Sequence, residues 1–566
     1  MLPRSAATPC LLRVSRLIAL ILLLSNLAPG TIRARDNTNG ELTAQIDRLV
    51  GEVYKDDQPG AAVIVVKNGE TVYRKAFGMA DLELGVKMAP DMVFRIGSIT
   101  KQFTAVSILM LLEQGKLALT DELTKFFPDY PTHGRKITVE NLLNHTSGIK
   151  SYTSLPEWLP LWRKDMSVNE IIALFKDKPM DFAPGEKWAY NNSGYILLGA
   201  IIEKVSGQSY EDFLQKNIFD VVGMKHSFYG SASRVIPRRI PGYGRGKSGL
   251  ENAPYLSMTQ PFAAGSLLST VDDLAMWDAA LQSGKLVKKE TLMLAFTPSK
   301  LNNGVSTGYG FGWTIVNYDK SLMIEHGGGI NGFTTYEIHV VPEKVFVAVL
   351  TNRSYLPSPD KVAFKIACLA MGKPYRDPVA ITLPEKTMDG YVGVYEGDER
   401  TRRTITRDGN QLYTQSSGGV KAPIYPMSET EFYIKDSMER LTFSKQGTVQ
   451  VVTVTDRYGP PEVSRKTSSA PQAARKEIKL DPDKLARYVG DYEIAPGSLV
   501  TVSKNGEKLT AQMVGQPALE IFAETDLKFF VKEIDAGIEF IADDAGRITG
   551  AVVVQGSQRL QCKKIK

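Results

Sequence analysis

The chain has 566 residues, 43% hydrophobic and 23% charged, with a formal net charge of +6. That length predicts about two to four domains, and the balance excludes a disordered polyelectrolyte and implies no polyanion or nucleic-acid partner. Three cysteines and five scattered histidines argue against a disulfide framework or a Cys/His metal centre.

The first element is a basic region with Arg4, Arg13 and Arg16, followed by Leu17-Ile18-Ala19-Leu20-Ile21-Leu22-Leu23-Leu24 and then small and turn-forming residues up to Ala34. This order predicts a secretory signal over residues 1–34. The apolar run falls short of the roughly 20 residues of a spanning helix, so the expectation is an exported protein, periplasmic or secreted, with no stable membrane span after cleavage. The segment holds Arg4, Arg13, Arg16 and Arg33 and no acid. Its removal brings the chain close to neutrality.

Ala61-Ala62-Val63-Ile64-Val65-Val66 and Thr71-Val72-Tyr73-Arg74-Lys75-Ala76-Phe77, joined through Asn68-Gly69, predict a hairpin. Next comes Phe94-Arg95-Ile96-Gly97-Ser98-Ile99-Thr100-Lys101-Gln102-Phe103, a glycine-containing entry to an amphipathic helix through Phe103, Val106, Met110 and Leu111 that ends at Gln114-Gly115. Ser98 and Lys101 lie one helical turn apart, so the amine can reach the hydroxyl. Further helices are expected over Val139–His145, Val168–Phe175, Ser193–Val205, Tyr210–Phe219 and Asp272–Leu281. Strands return at Leu322–His326, Phe333–Val341 and Val345–Thr351. The simplest assembly is an α+β domain over residues 35–383: one antiparallel sheet built from both ends of the segment and flanked by the intervening helices.

Beyond Pro384 the pattern changes to short alternating strands. Tyr391-Val392-Gly393-Val394-Tyr395-Glu396 recurs as Tyr488-Val489-Gly490-Asp491-Tyr492-Glu493, and the same offset relates Leu412 to Leu509, Phe432 to Phe529 and Phe443 to Phe540. Two small antiparallel β domains, expected to be barrels, follow: residues 384–467 and 481–566, with a small-residue linker over 468–480. The alternative is two halves of one larger barrel.

Ser-x-x-Lys occurs three times, but Ser147-Gly148-Ile149-Lys150 and Ser358-Pro359-Asp360-Lys361 lack apolar periodicity behind them, and the latter reads as a turn. A serine nucleophile needs a base and oxyanion donors. Trp188-Ala189-Tyr190-Asn191-Asn192 supplies a phenol and an amide just before a helix. A tyrosine beside a lysine ammonium can have its pKa lowered enough to act as a base, and an asparagine can orient the lysine or a substrate amide. Glu325-His326-Gly327-Gly328-Gly329 runs a strand into three glycines, where missing Cβ atoms let a substrate backbone approach.

Ser-x-x-Lys, Tyr-x-Asn and His-Gly-Gly in this order resemble the serine β-lactamase and penicillin-binding-protein superfamily, in its class C β-lactamase-like branch. Leu142-Leu143-Asn144-His145-Thr146-Ser147-Gly148 and Gly265-Ser266-Leu267-Leu268-Ser269-Thr270 add to the resemblance, which covers roughly residues 40 to 370. It implies Ser98 as the acylated nucleophile, Lys101 and Tyr190 as the proton-transfer pair with either as base, and Asn192 as the orienter. His326 and Gly328 would meet substrate, and the backbone N–H groups of Ser98 and Gly329 would form the oxyanion hole. His326-Gly327-Gly328 replaces the Lys-Thr-Gly of β-lactamases, which removes a permanent cation and a hydroxyl. His-x-Gly with two trailing β domains is similar to the D-aminopeptidases of the superfamily. The resemblance therefore implies an exported serine hydrolase acting on short, cell-wall-type peptides or amides containing D-residues, with no metal or organic cofactor. An esterase or weak β-lactamase would use the same residues, and a binding or sensor protein with a vestigial hydrolase domain is the reading from another class.

Overall fold

The computed structural model describes residues 29–246, 249–397, 402–435, 437–455, 460–469, 477–495, 498–513, 518–532, 534–556 and 558–565. Residues 1–28 of the expected leader and 470–476 of the expected linker lie outside them. Among the described residues no helix is long and apolar enough to cross a membrane.

The α+β domain is built from α1 (Pro29–Val53), β1 (Ala61–Lys67), β2 (Glu70–Phe77), β3 (Phe94–Arg95), α2 (Thr100–Glu113), α3 (Asn192–Ser206), β4 (Leu267–Ser269), α4 (Val271–Ser283), β5 (Thr314–Tyr318), β6 (Ser321–Ile330), β7 (Phe333–Val340), β8 (Val345–Thr351) and α5 (Pro359–Ala370), with shorter elements between them. The β1–β2 hairpin turns at Asn68 (φ 54°) and Gly69 (φ 79°), the left-handed pair that suits a tight hairpin. A six-stranded sheet runs β5-β6-β7-β8-β1-β2, antiparallel throughout. The central strand β1 is buried from Ala61 to Val65 because both faces are covered. Ala62 and Ile64 join the large core around α2 and α3, while Ala61, Val63 and Val65 pack with Ile46, Val50 and Phe364 of α1 and α5. Helices thus lie on both faces of the sheet.

The helix α2 is buried on nearly all sides rather than amphipathic. Its polar residues have internal partners: Thr104 Oγ1 donates to the Ala263 carbonyl at 2.7 Å, Ser107 Oγ to the Phe103 carbonyl at 2.7 Å, and Gln102 lies between Glu337 and Trp277. Polar groups satisfied in this way let a helix occupy the centre of a domain. At the third Ser-x-x-Lys the expected turn is instead the start of α5. Ser358 holds the N-cap position, Pro359 begins the helix, and Lys361 lies 3.1 Å from Asp377.

The two C-terminal units are closed eight-stranded barrels, formed by strands between Gly393 and Ser468 and between Gly490 and Lys564. The sequence repeat is a structural repeat. Tyr395 Oη donates to the Tyr391 carbonyl at 2.8 Å and Tyr492 Oη to the Tyr488 carbonyl at 2.7 Å. The rings of Tyr391 and Tyr488 cover Phe443 and Phe540 at centroid distances of 4.2 and 4.8 Å. The first barrel touches the α+β domain through Arg440 Nη2, which donates to Tyr375 Oη at 2.8 Å. The first two strands of the second barrel, Gly490–Ala495 and Ser498–Asn505, pack against the turn Pro156–Leu161.

Candidate active site

Ser98 sits in a single 3-10 turn, Gly97–Ile99, between β3 and α2. Gly97 has φ 52°, and a Cβ there would lie 2.9 Å from the Gly329 nitrogen, so glycine is required both by the backbone and by the close approach of β6. At Gly328 a Cβ would meet the Ile96 carbonyl oxygen at 2.0 Å, whereas at Gly329 nothing lies within 4 Å. The first glycine is therefore dictated by packing on the Ser98 turn, and only the second opens toward a ligand. Beyond Glu325, the last β6 residue paired to β5, the strand continues along the site.

Lys101, in the first turn of α2, is completely buried. Its Nζ lies 3.2 Å from Ser98 Oγ, 2.9 Å from Asn192 Oδ1 and 2.9 Å from the Ala264 carbonyl oxygen. It also lies 4.7 and 5.3 Å from the ring centroids of Tyr190 and Tyr195. With aromatic walls, burial pushes its pKa well below the ordinary lysine value. In its neutral form the amine would have two N–H groups for Asn192 and Ala264 and one lone pair for the Ser98 hydroxyl.

Tyr190 stands in the segment leading into α3 and remains 36% exposed at the site opening. Its phenol interacts with the Ser98 hydroxyl, yet burial of the group pushes its pKa up, not down as expected from a lysine ammonium nearby. Desolvation of the phenol is the larger influence, and its hydrogen bond with Ser98 opposes it only in part. Asn191, not Asn192, caps α3, accepting from Gly194 N–H at 2.9 Å. This frees Asn192 to bridge Lys101 and Thr153, whose Oγ1 accepts from Nδ2 at 3.1 Å.

His145 holds this segment from behind. It has φ 63°, its Nδ1 accepts from Asn191 N–H at 3.1 Å, and its ring lies 4.5 Å from that of Tyr190. Burial keeps it neutral. The sequence marked His145 only as part of a familiar run. His326 is likewise buried, with its pKa lowered to about 3 by burial and by Lys101. Its Nε2 and Nδ1 lie 2.9 and 2.6 Å from Tyr309 Oη and the Gly327 carbonyl oxygen. Both nitrogens are engaged within the protein, so it contributes shape instead of charge.

A cavity of about 130 Å³ opens on Ser98, lined by Asn192, Tyr152, Trp158, Leu256 and Ile330 among others. Trp158 Nε1 donates to Gln260 Oε1 at 2.9 Å, which fixes that wall. Ala264, the third partner of Lys101, has no signal in the sequence, because a backbone carbonyl leaves no mark in a side-chain motif.

Residues 46–370 match the family model described as Beta-lactamase, and residues 474–563, spanning the second barrel, match Domain of unknown function (DUF3471). Penicillin-binding protein 4* of Bacillus subtilis (strain 168) is 30% identical over 403 residues, covering 67% of this chain and 88% of that protein. Among solved structures, the octameric penicillin-binding protein homologue from Pyrococcus abyssi has a TM-score of 0.54 and 29% identity, covering 75% of this chain and 99% of that one. The D-amino acid amidase from Ochrobactrum anthropi SV3, complexed with D-phenylalanine, has a TM-score of 0.52 and 25% identity, covering 59% and 99% of the two chains. A serine, a buried lysine and a Tyr-x-Asn segment gathered under a glycine-rich strand, on a fold matched over most of its catalytic domain, place this chain in the β-lactamase family as a serine hydrolase.

Proposed function

We propose that the protein is an exported amidase or peptidase that forms an acyl-enzyme on Ser98 with short substrates containing D-residues. The observation that carries this reading is the partner set of Lys101, whose buried Nζ lies between the Ser98 hydroxyl and two carbonyl oxygens, so that its neutral form keeps a lone pair for Ser98. In the proposed sequence, Ser98 Oγ attacks the scissile carbonyl as Lys101 takes its proton, and the Ser98 and Gly329 N–H groups receive the oxyanion. Tyr190, kept protonated by burial, gives its proton to the departing amine and recovers one from the Lys101 ammonium. Water then repeats the steps on the ester, releasing acid and free enzyme. Asn192 orients Lys101, His326 braces Tyr309 behind Tyr190, and Gly328 lets β6 close on the nucleophile turn.

Similarity to the D-amino acid amidase supports the D-residue preference, and the basic-then-apolar N-terminus supports export. The mostly apolar lining of the 130 Å³ cavity also suits a neutral ester, so esterase activity is the second reading. Turnover of D- and L-phenylalanine amide by the protein and by Ser98→Ala tests the proposal. Loss of roughly 10⁴- to 10⁶-fold in Ser98→Ala, with an acyl adduct by intact mass only on the parent, is expected; equal rates would refute it.

A further inference from the structure

The catalytic cavity shares a wall with a larger cleft. Asn331, in the β6–β7 turn, lines both, and on its other side a cleft of about 370 Å³ opens among Arg95, Arg239, Tyr255, Met258 and Phe333. Arg95 ends β3, just before the Ser98 turn, and is only partly exposed. Its guanidinium lies 5.9 Å from the Phe333 ring centroid, and among the described residues it has neither an ion pair nor a side-chain hydrogen bond. Arg239 spends one nitrogen on the Ser231 carbonyl, at 2.7 Å, and is otherwise exposed.

Nearby carboxylates are taken elsewhere. Glu83 accepts from Tyr243 and Asn252, and Asp91 pairs with Arg238 at 2.6 Å. Burial and the like charge of Arg239 both act against the charged form of Arg95, with Tyr255 the opposing influence. A partly buried guanidinium beside a second one, with no counterion, is a costly arrangement unless a ligand completes it. Its fork of N–H donors fits a carboxylate.

We infer that this cleft is a subsite for a carboxylate on the substrate, held between Arg95 and Arg239 while the scissile bond lies at Ser98. The inference rests on the acyl-enzyme reading above. Asn331 lies two residues beyond Gly329 and lines both cavities, so the ligand is a short peptide whose free carboxylate lies about two residues from the bond cut. The neutral His326-Gly327-Gly328 offers no cation beside the nucleophile; here the positive charge comes from β3 and from the loop carrying Arg239.

The test uses acetyl-D-phenylalanyl-glycyl-glycine and its C-terminal amide. The parent should favour the acid by about 10- to 100-fold in kcat/KM, chiefly through KM and less at high salt. Arg95→Gln and Arg239→Gln should each bring the acid-to-amide ratio toward unity; Arg239 is exposed, so its replacement is readable even where Arg95→Gln fails to fold. Calorimetric binding of the same pair to Ser98→Ala separates the two readings. Preferential binding of the acid without any turnover by the parent would keep the cleft and refute the acyl chemistry. Absence of an acid preference, or a preference that survives both arginine substitutions, would overturn the cleft.

Discussion

Asn192→Asp gives a direct test of Lys101 as the proton acceptor. Asn192 Oδ1 lies 2.9 Å from Nζ and its amide nitrogen 3.1 Å from Thr153 Oγ1. An aspartate fits the same space, accepting from the lysine and from the threonine hydroxyl. A unit negative charge at that separation, in a medium of effective dielectric about 20, favours the ammonium by about 6 kcal/mol. At about 1.4 kcal/mol per pH unit this raises the acid limb of the kcat/KM profile by about four units. The sign follows from the role: the base must be neutral, so activity is lost as pH falls through its pKa, and a higher pKa extends the inactive range upward. At a pH where the parent is on its plateau, the variant should lose up to about 10⁴-fold and recover about tenfold per added pH unit. Hydrolysis of a D-phenylalanine p-nitroanilide between about pH 5 and 10.5 reads this, since its chromophore does not titrate there. Asn192→Leu, which adds no charge, should lose activity without raising the limb. A limb unmoved in Asn192→Asp, or a loss that alkali does not restore, would show that Lys101 is not the titrating base.

Gly328→Ala should destabilise the catalytic domain by about 1–3 kcal/mol in urea melts, because its methyl meets the Ile96 carbonyl at 2.0 Å. Gly329→Ala, with nothing within 4 Å, should melt with the parent and change KM instead. Glu337 is buried, and burial pushes its carboxyl up to about 8 from 4.5. The folded state therefore holds an extra proton between those values, and the group's contribution is full below about pH 4.5 and declines as pH rises to 8. Glu337→Gln should remove that decline, so that its stability relative to the parent rises by up to about 1.4 kcal/mol per pH unit from pH 5 to 8. Ending the chain after Ser469 removes the strands that pack on Pro156–Leu161 and so loosens Trp158 in the cavity wall. The expected result is a KM about tenfold higher, with kcat within about threefold of the parent.

Much of this was legible because side-chain identity carries it. Ser98, Lys101, Tyr190 and Asn192 announced themselves as polar residues set against apolar helices, and paired tyrosines and phenylalanines exposed the repeat because each barrel needs the same plug. Asn68-Gly69 fixed the hairpin through backbone stereochemistry. Other features escaped for physical reasons. The Ala264 carbonyl is common to every residue type. Arg95 and Arg239 share a cleft only because the chain folds back on itself. Pro359, flanked by Pro357, read as a turn although proline also suits a first helical position. The burial of α2 was hidden because Lys101, Gln102, Thr104 and Ser107 look like a solvated face until Asn192, Glu337, Trp277 and Ala263 are brought to them. The pKa of Tyr190 is governed by burial of its phenol, which no spacing reveals.

The pairing of β1 with β8 has a bearing on how the protein is made. Ala61 is matched to Thr351, and the Ser98 turn is completed by a glycine of β6. A ribosome must therefore deliver nearly the whole α+β segment before the Ser98 hydroxyl has its surroundings. Contacts so distant along the chain form late and slowly. Under the proposed acyl-enzyme reading, the Ser98 hydroxyl of a newly made chain thus gains its neighbours only when that segment is complete.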